Sequence, residues 1–365
     1  MHLTLHLTDR CDFACEYCYA AHGDQDMSFE TATAAIERCA VGPNCGIIFF
    51  GGEPLLRQDL IWELIDWCER TRPHQYHYKV TTNGLGLDEA FLERAERNCL
   101  HVALSHDGVR EAHDLMRRRA GGGASFDLLL PKLKALLAHM PYAPVMTTVC
   151  PETVGHFADS ARWLADQGAR YLICSLNYAG AWDDASLKVL KEQYLLLEEW
   201  HYGNYRARRK IYFSPFDKRI ASHIFPERGC SCRLGMRQIS VGPDGTLYPC
   251  VQFVGAPGYE IGDAANGVDE ARRQRIYELN EEDKPECSGC ALSGRCHNKC
   301  GCLNFQTTGD IRKLPAVLCE HERMVFPIAD RLASRLYRRG DPLFLRRHYD
   351  SAFPILSFLE DLANS

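Results

Sequence analysis

Apolar and polar positions alternate from the first residues, where Leu3, Leu5 and Leu7 are separated by Thr4 and His6, the period-two pattern of a half-buried strand. Similar short runs recur, and strands are expected over 2–7, 46–50, 76–81, 102–104, 145–149 and 171–175, each followed by a stretch of helical spacing. Helices are expected over 30–38, 60–71 and 157–166, with Ser28 and Asp59 as N-caps of the first two. Six strand–helix units in order predict an α/β fold around a parallel sheet. A closed barrel of eight units needs about 250 residues, so six predict a partial (β/α)6 TIM barrel with a lateral gap. Right-handed crossovers put its functional loops at the C-terminal ends of the strands.

From about residue 213 the pattern gives way to Gly-, Pro- and Cys-rich segments, a small domain held by something other than a large core. Helical periodicity returns over 325–363 with Arg331, Arg335, Arg338, Arg339, Arg346 and Arg347, read as a solvated face ahead of a site for an acidic peptide. The expected division is 1–205 for the barrel, 206–229 for a linker, 230–325 for the Cys-rich domain and 326–365 for C-terminal helices.

Composition changes this picture in one respect. A chain of 365 residues, 46% hydrophobic and 25% charged, reads as globular, and a net charge of -6 argues against a general nucleic-acid binder. No leader pattern opens the sequence and no apolar run approaches about 18 residues, so a cytoplasmic protein without a membrane span is expected. The 18 cysteines are the anomaly, because a reducing compartment disfavours disulfides. Cluster or metal ligation accounts for those at the two ends of the chain, while Cys39, Cys45, Cys68, Cys99, Cys150 and Cys174 read as small buried hydrophobes.

Cys11-x3-Cys15-x2-Cys18 lies in the loop after the first strand, with Tyr17 before the last cysteine. Three thiolates on a [4Fe–4S] cluster leave one iron open for a reactant; a three-cysteine zinc site is the alternative. The spacing resembles that of the radical SAM superfamily, in which the open iron holds S-adenosylmethionine. Gly51-Gly52-Glu53-Pro54 follows the second strand, Thr81-Thr82-Asn83-Gly84 the third and Ser105-His106-Asp107-Gly108 the fourth. The glycines would let backbone approach a ligand closely, and the resemblance implies that the Gly51–Pro54 motif holds the methionine amino group. His113-Asp114, Arg117 and Gly123-Ala124-Ser125-Phe126 resemble the stretch that follows in the peptide-modifying branch. Tyr17, Gly51, Gly52, Glu53, Asn83, Ser105 and Arg117 are thus the expected cofactor contacts, although each motif alone could be an ordinary capped turn.

Further on, Cys232-x12-Gly245-x4-Cys250, Cys287-x2-Cys290-x5-Cys296-x3-Cys300 and Cys319 resemble the seven-cysteine SPASM domain; a pair of zinc sites is the alternative. Asp244-Gly245 reads as a hairpin turn. The resemblance implies two auxiliary [4Fe–4S] clusters, the first on Cys232, Cys250 and Cys300, the second on Cys287, Cys290, Cys296 and Cys319. For the fourth ligand of the first, Cys230 is expected from its spacing, with Cys302 as substitute and an open iron as the third option.

What the family resemblance implies is a radical S-adenosylmethionine oxidoreductase acting on a ribosomally made precursor peptide, installing a crosslink or an oxidation. Expected partners are that peptide, a reductant such as flavodoxin or ferredoxin, and a separate leader-binding protein, since Cys11 lies too near the start for a leader-binding module to precede it. An anaerobic sulfatase-maturating, formylglycine-forming enzyme is the rival within this class; that branch has an acidic residue after the cysteine matching Cys250, where this chain has Val251 and Gln252. An iron–sulfur electron carrier and a zinc-stabilised binding protein are the rivals outside it.

Overall fold

The computed structural model of the protein describes residues 1–42, 45–225, 232–355 and 360–361. Its first half contains β1 (His2–His6), β2 (Phe13–Cys15), α1 (Phe29–Cys39), β3 (Cys45–Phe50), α2 (Gln58–Thr71), β4 (Tyr76–Thr82), α3 (Glu89–Arg97), β5 (Leu100–Ser105), α4 (Arg110–Met116), β6 (Arg117–Arg119), α5 (Phe126–His139), β7 (Pro144–Val149), α6 (Phe157–Asp166), β8 (Tyr171–Leu176) and α7 (Asp184–Arg206). Strands β1, β3, β4, β5, β7 and β8 lie side by side in chain order, every pair parallel. Alternation decides their faces: Leu3, Leu5, Ile47, Phe49, Tyr78, Val80, Val102 and Leu104 are buried in the main hydrophobic core, while the alternate positions line the inner face. The expected six-unit open barrel is therefore what the described residues form.

Helix starts follow local chemistry. Ser28, as expected, caps α1 by accepting from Thr31 N at 3.1 Å. Asp59 does not cap α2: the helix runs straight on from a 3-10 turn over Pro54–Arg57, so Asp59 falls inside its first turn and pairs with Arg57 at 3.3 Å. That 3-10 turn is capped by Glu53, which accepts from Leu55 N.

The remainder comprises β9 (Tyr212–Phe213), α8 (Ser214–Ile224), β10 (Gln238–Val241), β11 (Leu247–Tyr248), β12 (Gly262–Asp263), β13 (Gly267–Val268), α9 (Glu270–Glu281), α10 (Gly301–Thr308), α11 (Ala316–Arg338) and α12 (Pro342–Tyr349). Two features depart from the expected domain plan. The 206–229 stretch, expected as a linker, carries β9 on the sheet edge beside β8 and α8 with Phe216 and Ile220 fully buried; its apolar run is too short and too close to Pro215 to read as an element. The hairpin β10–β11, expected inside a separate Cys-rich domain, instead continues the barrel sheet: β10 pairs parallel with β1, and β11 pairs antiparallel with β10. The full order is β11-β10-β1-β3-β4-β5-β7-β8-β9, with β11 and β9 as its open ends. Gly245 takes the left-handed φ of 89° at the expected hairpin turn.

Of the basic C-terminal residues, Arg331, Arg338 and Arg339 are exposed as expected, whereas Arg335, Arg346 and Arg347 are half-buried. Arg331 and Arg335 both reach the buried Glu198 of α7, Arg335 also pairs with Glu199, and Arg347 donates to the carbonyl of Ile211 at 2.6 Å. Asp217 of α8 anchors the same region: it accepts from Tyr205 at 2.7 Å and Phe213 N at 2.7 Å and contacts His201 Nε2 at 3.1 Å. No helix among the described residues is long and apolar enough to cross a membrane.

Candidate active site at the C-terminal strand ends

The loop after β1 passes through Cys11, Cys15 and Cys18, and its middle forms the ribbon β2–β6, in which Cys15 sits opposite Arg117. Cys11 and Cys15 are half-buried and Cys18 is exposed. Burial pushes the Cys11 thiol up to about 12, and raises Cys15 against the opposing pull of Arg117. Thiols so raised stay protonated until a metal centre displaces the proton.

Glu53, almost wholly buried, organises the ends of β3 and β4. Its carboxylate accepts from Leu55 N at 2.9 Å, Thr82 Oγ1 at 2.7 Å and Asn83 N at 2.7 Å; burial nevertheless lifts it to about 7, against those three donors. Asn83 in turn donates through Nδ2 to Asp12 Oδ1 at 2.6 Å, with Cys11 Sγ 4.0 Å away. The cysteine loop, the Gly-Gly-Glu motif and Asn83 thus form one bonded unit.

Gly51 and Gly52 serve a different closeness from the one expected. A Cβ on Gly51 would meet the carbonyl of Thr8, and one on Gly52 the carbonyl of Arg10, while Gly51 has a φ of 130°. The near approach is to the backbone of the cysteine loop, which Gly52 N and Glu53 N bond at 2.8 Å each.

Tyr17 and Arg117, expected as cofactor contacts, are joined to each other. Arg117 Nη1 donates to Tyr17 Oη at 2.7 Å, and Tyr17 donates to Asp107 Oδ2 at 2.8 Å. Arg117 Nε is buried without a hydrogen-bond partner among the described residues. Asp107, in the motif after the fourth expected strand, also accepts from Thr148 N at 2.9 Å through its other oxygen; it ties β5 to β7 and to the cysteine loop. His106 is packing, stacked on Trp163 with centroids 5.4 Å apart. Asp114 accepts from Ser125 N and Phe126 N at 2.9 and 2.8 Å, so this stretch clasps the start of α5. Ser105 remains half-buried on the inner face at the end of β5. Beside Tyr17 opens a cleft of about 320 Å³ whose walls include Glu16, Met116, Cys150, Glu152 and Asn177.

The second cysteine set falls into two groups. Cys302 lies 3.5 Å, sulfur to sulfur, from Cys300; the neighbouring Cys302 holds the Cys300 and Cys250 thiols below their ordinary value and is itself raised. Cys232 is half-buried against the core, and Cys230 lies outside the described residues. Cys296 is within electrostatic reach of Cys319 and Cys287, and Cys319 of Cys287 and Cys290. Among the described residues no three His, Cys, Asp or Glu side chains close on a single metal ion. Sequence reasoning missed Asp12 as the bridge to Asn83; its place directly after Cys11 was the only available signal.

Residues 5–164 match the model of the Radical SAM superfamily. That stretch of the chain is a domain of this superfamily. Among similar proteins, a cysteine-type anaerobic sulfatase-maturating enzyme of Clostridium novyi is 26% identical over 278 residues, 70% of this chain and 74% of the relative. PqqA peptide cyclase of Gluconobacter oxydans is 26% identical over 368 aligned positions, 95% of this chain and 98% of the relative. The solved structure of native anSMEcpe with bound AdoMet has a TM-score of 0.80 at 19% identity, covering 92% of this chain and 99% of that one, and the same protein has been solved with AdoMet and the Cp18Cys peptide. The match over residues 5–164 implies S-adenosylmethionine and one [4Fe–4S] cluster, and the donor set fits: three thiols outside any disulfide in one loop, with a buried arginine beside Cys15.

Proposed function

We propose that this chain is a radical SAM peptide maturase that abstracts hydrogen from a ribosomally made precursor peptide and installs a crosslink or an oxidation. The observation that carries the reading is the bonded unit of cysteine loop, Glu53 and Asn83 at the C-terminal strand ends, opening beside Tyr17 into a cleft. In the proposed site Cys11, Cys15 and Cys18 hold the cluster. Bound there, the cluster and S-adenosylmethionine would supply the one-electron reductive chemistry that starts hydrogen abstraction. Glu53 fixes the β3 and β4 ends, Asn83 ties them to the cysteine loop through Asp12, Ser105 would offer a hydroxyl towards the cofactor, and Arg117 keeps positive charge next to Cys15.

The peptide substrate class is supported by the relatives, one named as a peptide cyclase and one solved with a peptide. Cys232, Cys250, Cys300 and Cys287, Cys290, Cys296, Cys319 are proposed to hold two auxiliary [4Fe–4S] clusters, with flavodoxin or ferredoxin as reductant and a separate protein presenting the peptide leader. Anaerobically reconstituted protein given S-adenosylmethionine and dithionite is expected to release 5′-deoxyadenosine. Changing Cys11, Cys15 and Cys18 to Ala together should abolish that release while auxiliary iron remains; persistence of release in the triple variant would refute the assignment. Mass spectrometry of precursor peptides encoded beside this protein would then read the modification.

A further inference from the structure

We propose that the N-terminal mouth of the barrel binds a doubly charged tetrahedral oxyanion, free phosphate or a phosphate monoester, between His2, His77, Lys79 and His101.

These four side chains share one face of neighbouring strands. Leu3, Tyr78, Val80 and Val102 take the core face, so alternation turns His2 of β1, His77 and Lys79 of β4 and His101 of β5 to the inner face, near the strand starts. Register gathers them: His2 lies opposite Gly46 of β3, Gly46 opposite His77, and Lys79 opposite His101. Gly46 puts no side chain between the two histidines. A Cβ there would fall 2.3 Å from His2 Nδ1, so the His2 ring leans across β3 towards β4.

The group has no counter-charge in the sheet. The six parallel strands contain no aspartate or glutamate. Burial lowers His2, and the chain's amino group, Lys79 and His77 lower it further; burial lowers His101, and His77 and Lys79 add to it; burial also lowers Lys79. No carboxylate is among these influences. Basic groups held together away from bulk water repel one another, and a doubly charged anion turns that repulsion into attraction through charge-assisted hydrogen bonds. Three imidazoles and an ammonium supply N–H donors to the oxygens of one such anion. A cation is the wrong occupant, because Lys79 would repel it and no three His, Cys, Asp or Glu side chains among the described residues close on a metal ion. Cys11 follows the opposite end of β1, so the inference stands apart from the proposed function.

The test is calorimetric titration of the full chain, reconstituted without air, with inorganic phosphate and, separately, with glycerol 3-phosphate; sulfate, which stays doubly charged, is the probe for pH. Expected is one saturable site, weakened about tenfold or more in Lys79→Met and in the double variant His77→Gln, His101→Gln. Phosphate should also raise the melting temperature of the unchanged protein, a rise that both variants lose. Tighter binding of phosphate assigns the free ion as ligand, and tighter binding of glycerol 3-phosphate assigns a monoester. Sulfate should bind more tightly at about pH 6 than at about pH 8 and take up protons as it binds, because an anion draws the lowered His2 and His101 back towards 6.5. Absence of saturable binding of all three anions, binding unchanged in both variants, or binding that tightens as pH rises overturns the proposal. His77 and His101 are exposed, so the double variant keeps the test decisive should Lys79→Met fail to fold.

Discussion

At the scale of single residues, the site depends on contacts where a small change meets rigid backbone. A Cβ on Gly52 would collide with the carbonyls of Arg10 and Asp9 rather than with a movable side chain, so Gly52→Ala must displace the cysteine loop. The expected cost is about 1–3 kcal/mol, read as a lower melting temperature of the cluster-free protein, together with weaker iron retention in the first loop. Tyr17→Phe is a subtler change. It removes the hydroxyl that accepts from Arg117 and donates to Asp107, leaving both buried charges short of a partner at about 1–3 kcal/mol. Because Phe keeps the ring, a variant with unchanged melting and unchanged S-adenosylmethionine cleavage would show that the link is dispensable.

At the scale of elements, α7, α8 and α12 are joined through Asp217. Burial alone would raise its carboxyl, but His201 and Arg347 outweigh that and hold it well below the ordinary value of 3.8. The folded chain therefore binds this proton less readily than the unfolded chain. Its contribution is complete above the ordinary carboxylate range and is lost as pH falls below it. Asp217→Asn should destabilise the protein by about 3–5 kcal/mol near neutral pH, the cost of breaking a buried pair, and should flatten the acid limb of a melting-temperature profile below about pH 4. An acid limb unchanged from the unmodified protein would place that titration elsewhere. The short elements β9 and α8 escaped sequence reading because two strand residues and a proline-interrupted helix carry no sustained period; their burial comes from the sheet edge they meet.

At the scale of the whole molecule, the question is which peptide chemistry the cleft supports. Val251 and Gln252 follow Cys250 in a 3-10 turn, and neither can accept a proton at neutral pH, so a base is missing where the sulfatase-maturating branch is expected to have one. A sulfatase-derived Cys or Ser peptide, incubated with reconstituted protein and S-adenosylmethionine, should show no more than trace conversion to formylglycine by mass spectrometry. Efficient conversion would move the function to the sulfatase-maturating reading.

The sequence by itself determined the six parallel strands, the first helix cap, the hairpin at Asp244-Gly245 and the spacing of the Cys11–Cys18 loop. Each is written in local spacing, where period, turn propensity and ligand interval involve residues close in the chain. What the tertiary structure decided is which distant groups answer one another: that Glu53 takes donors from the end of β4, that Arg117 donates to Tyr17 and Tyr17 to Asp107, and that β10 joins the barrel sheet beside β1. Hydrogen bonds and close packing are satisfied by whatever the folded chain brings within about 3 Å, and that proximity is a property of the assembled sheet, not of any spacing along the chain.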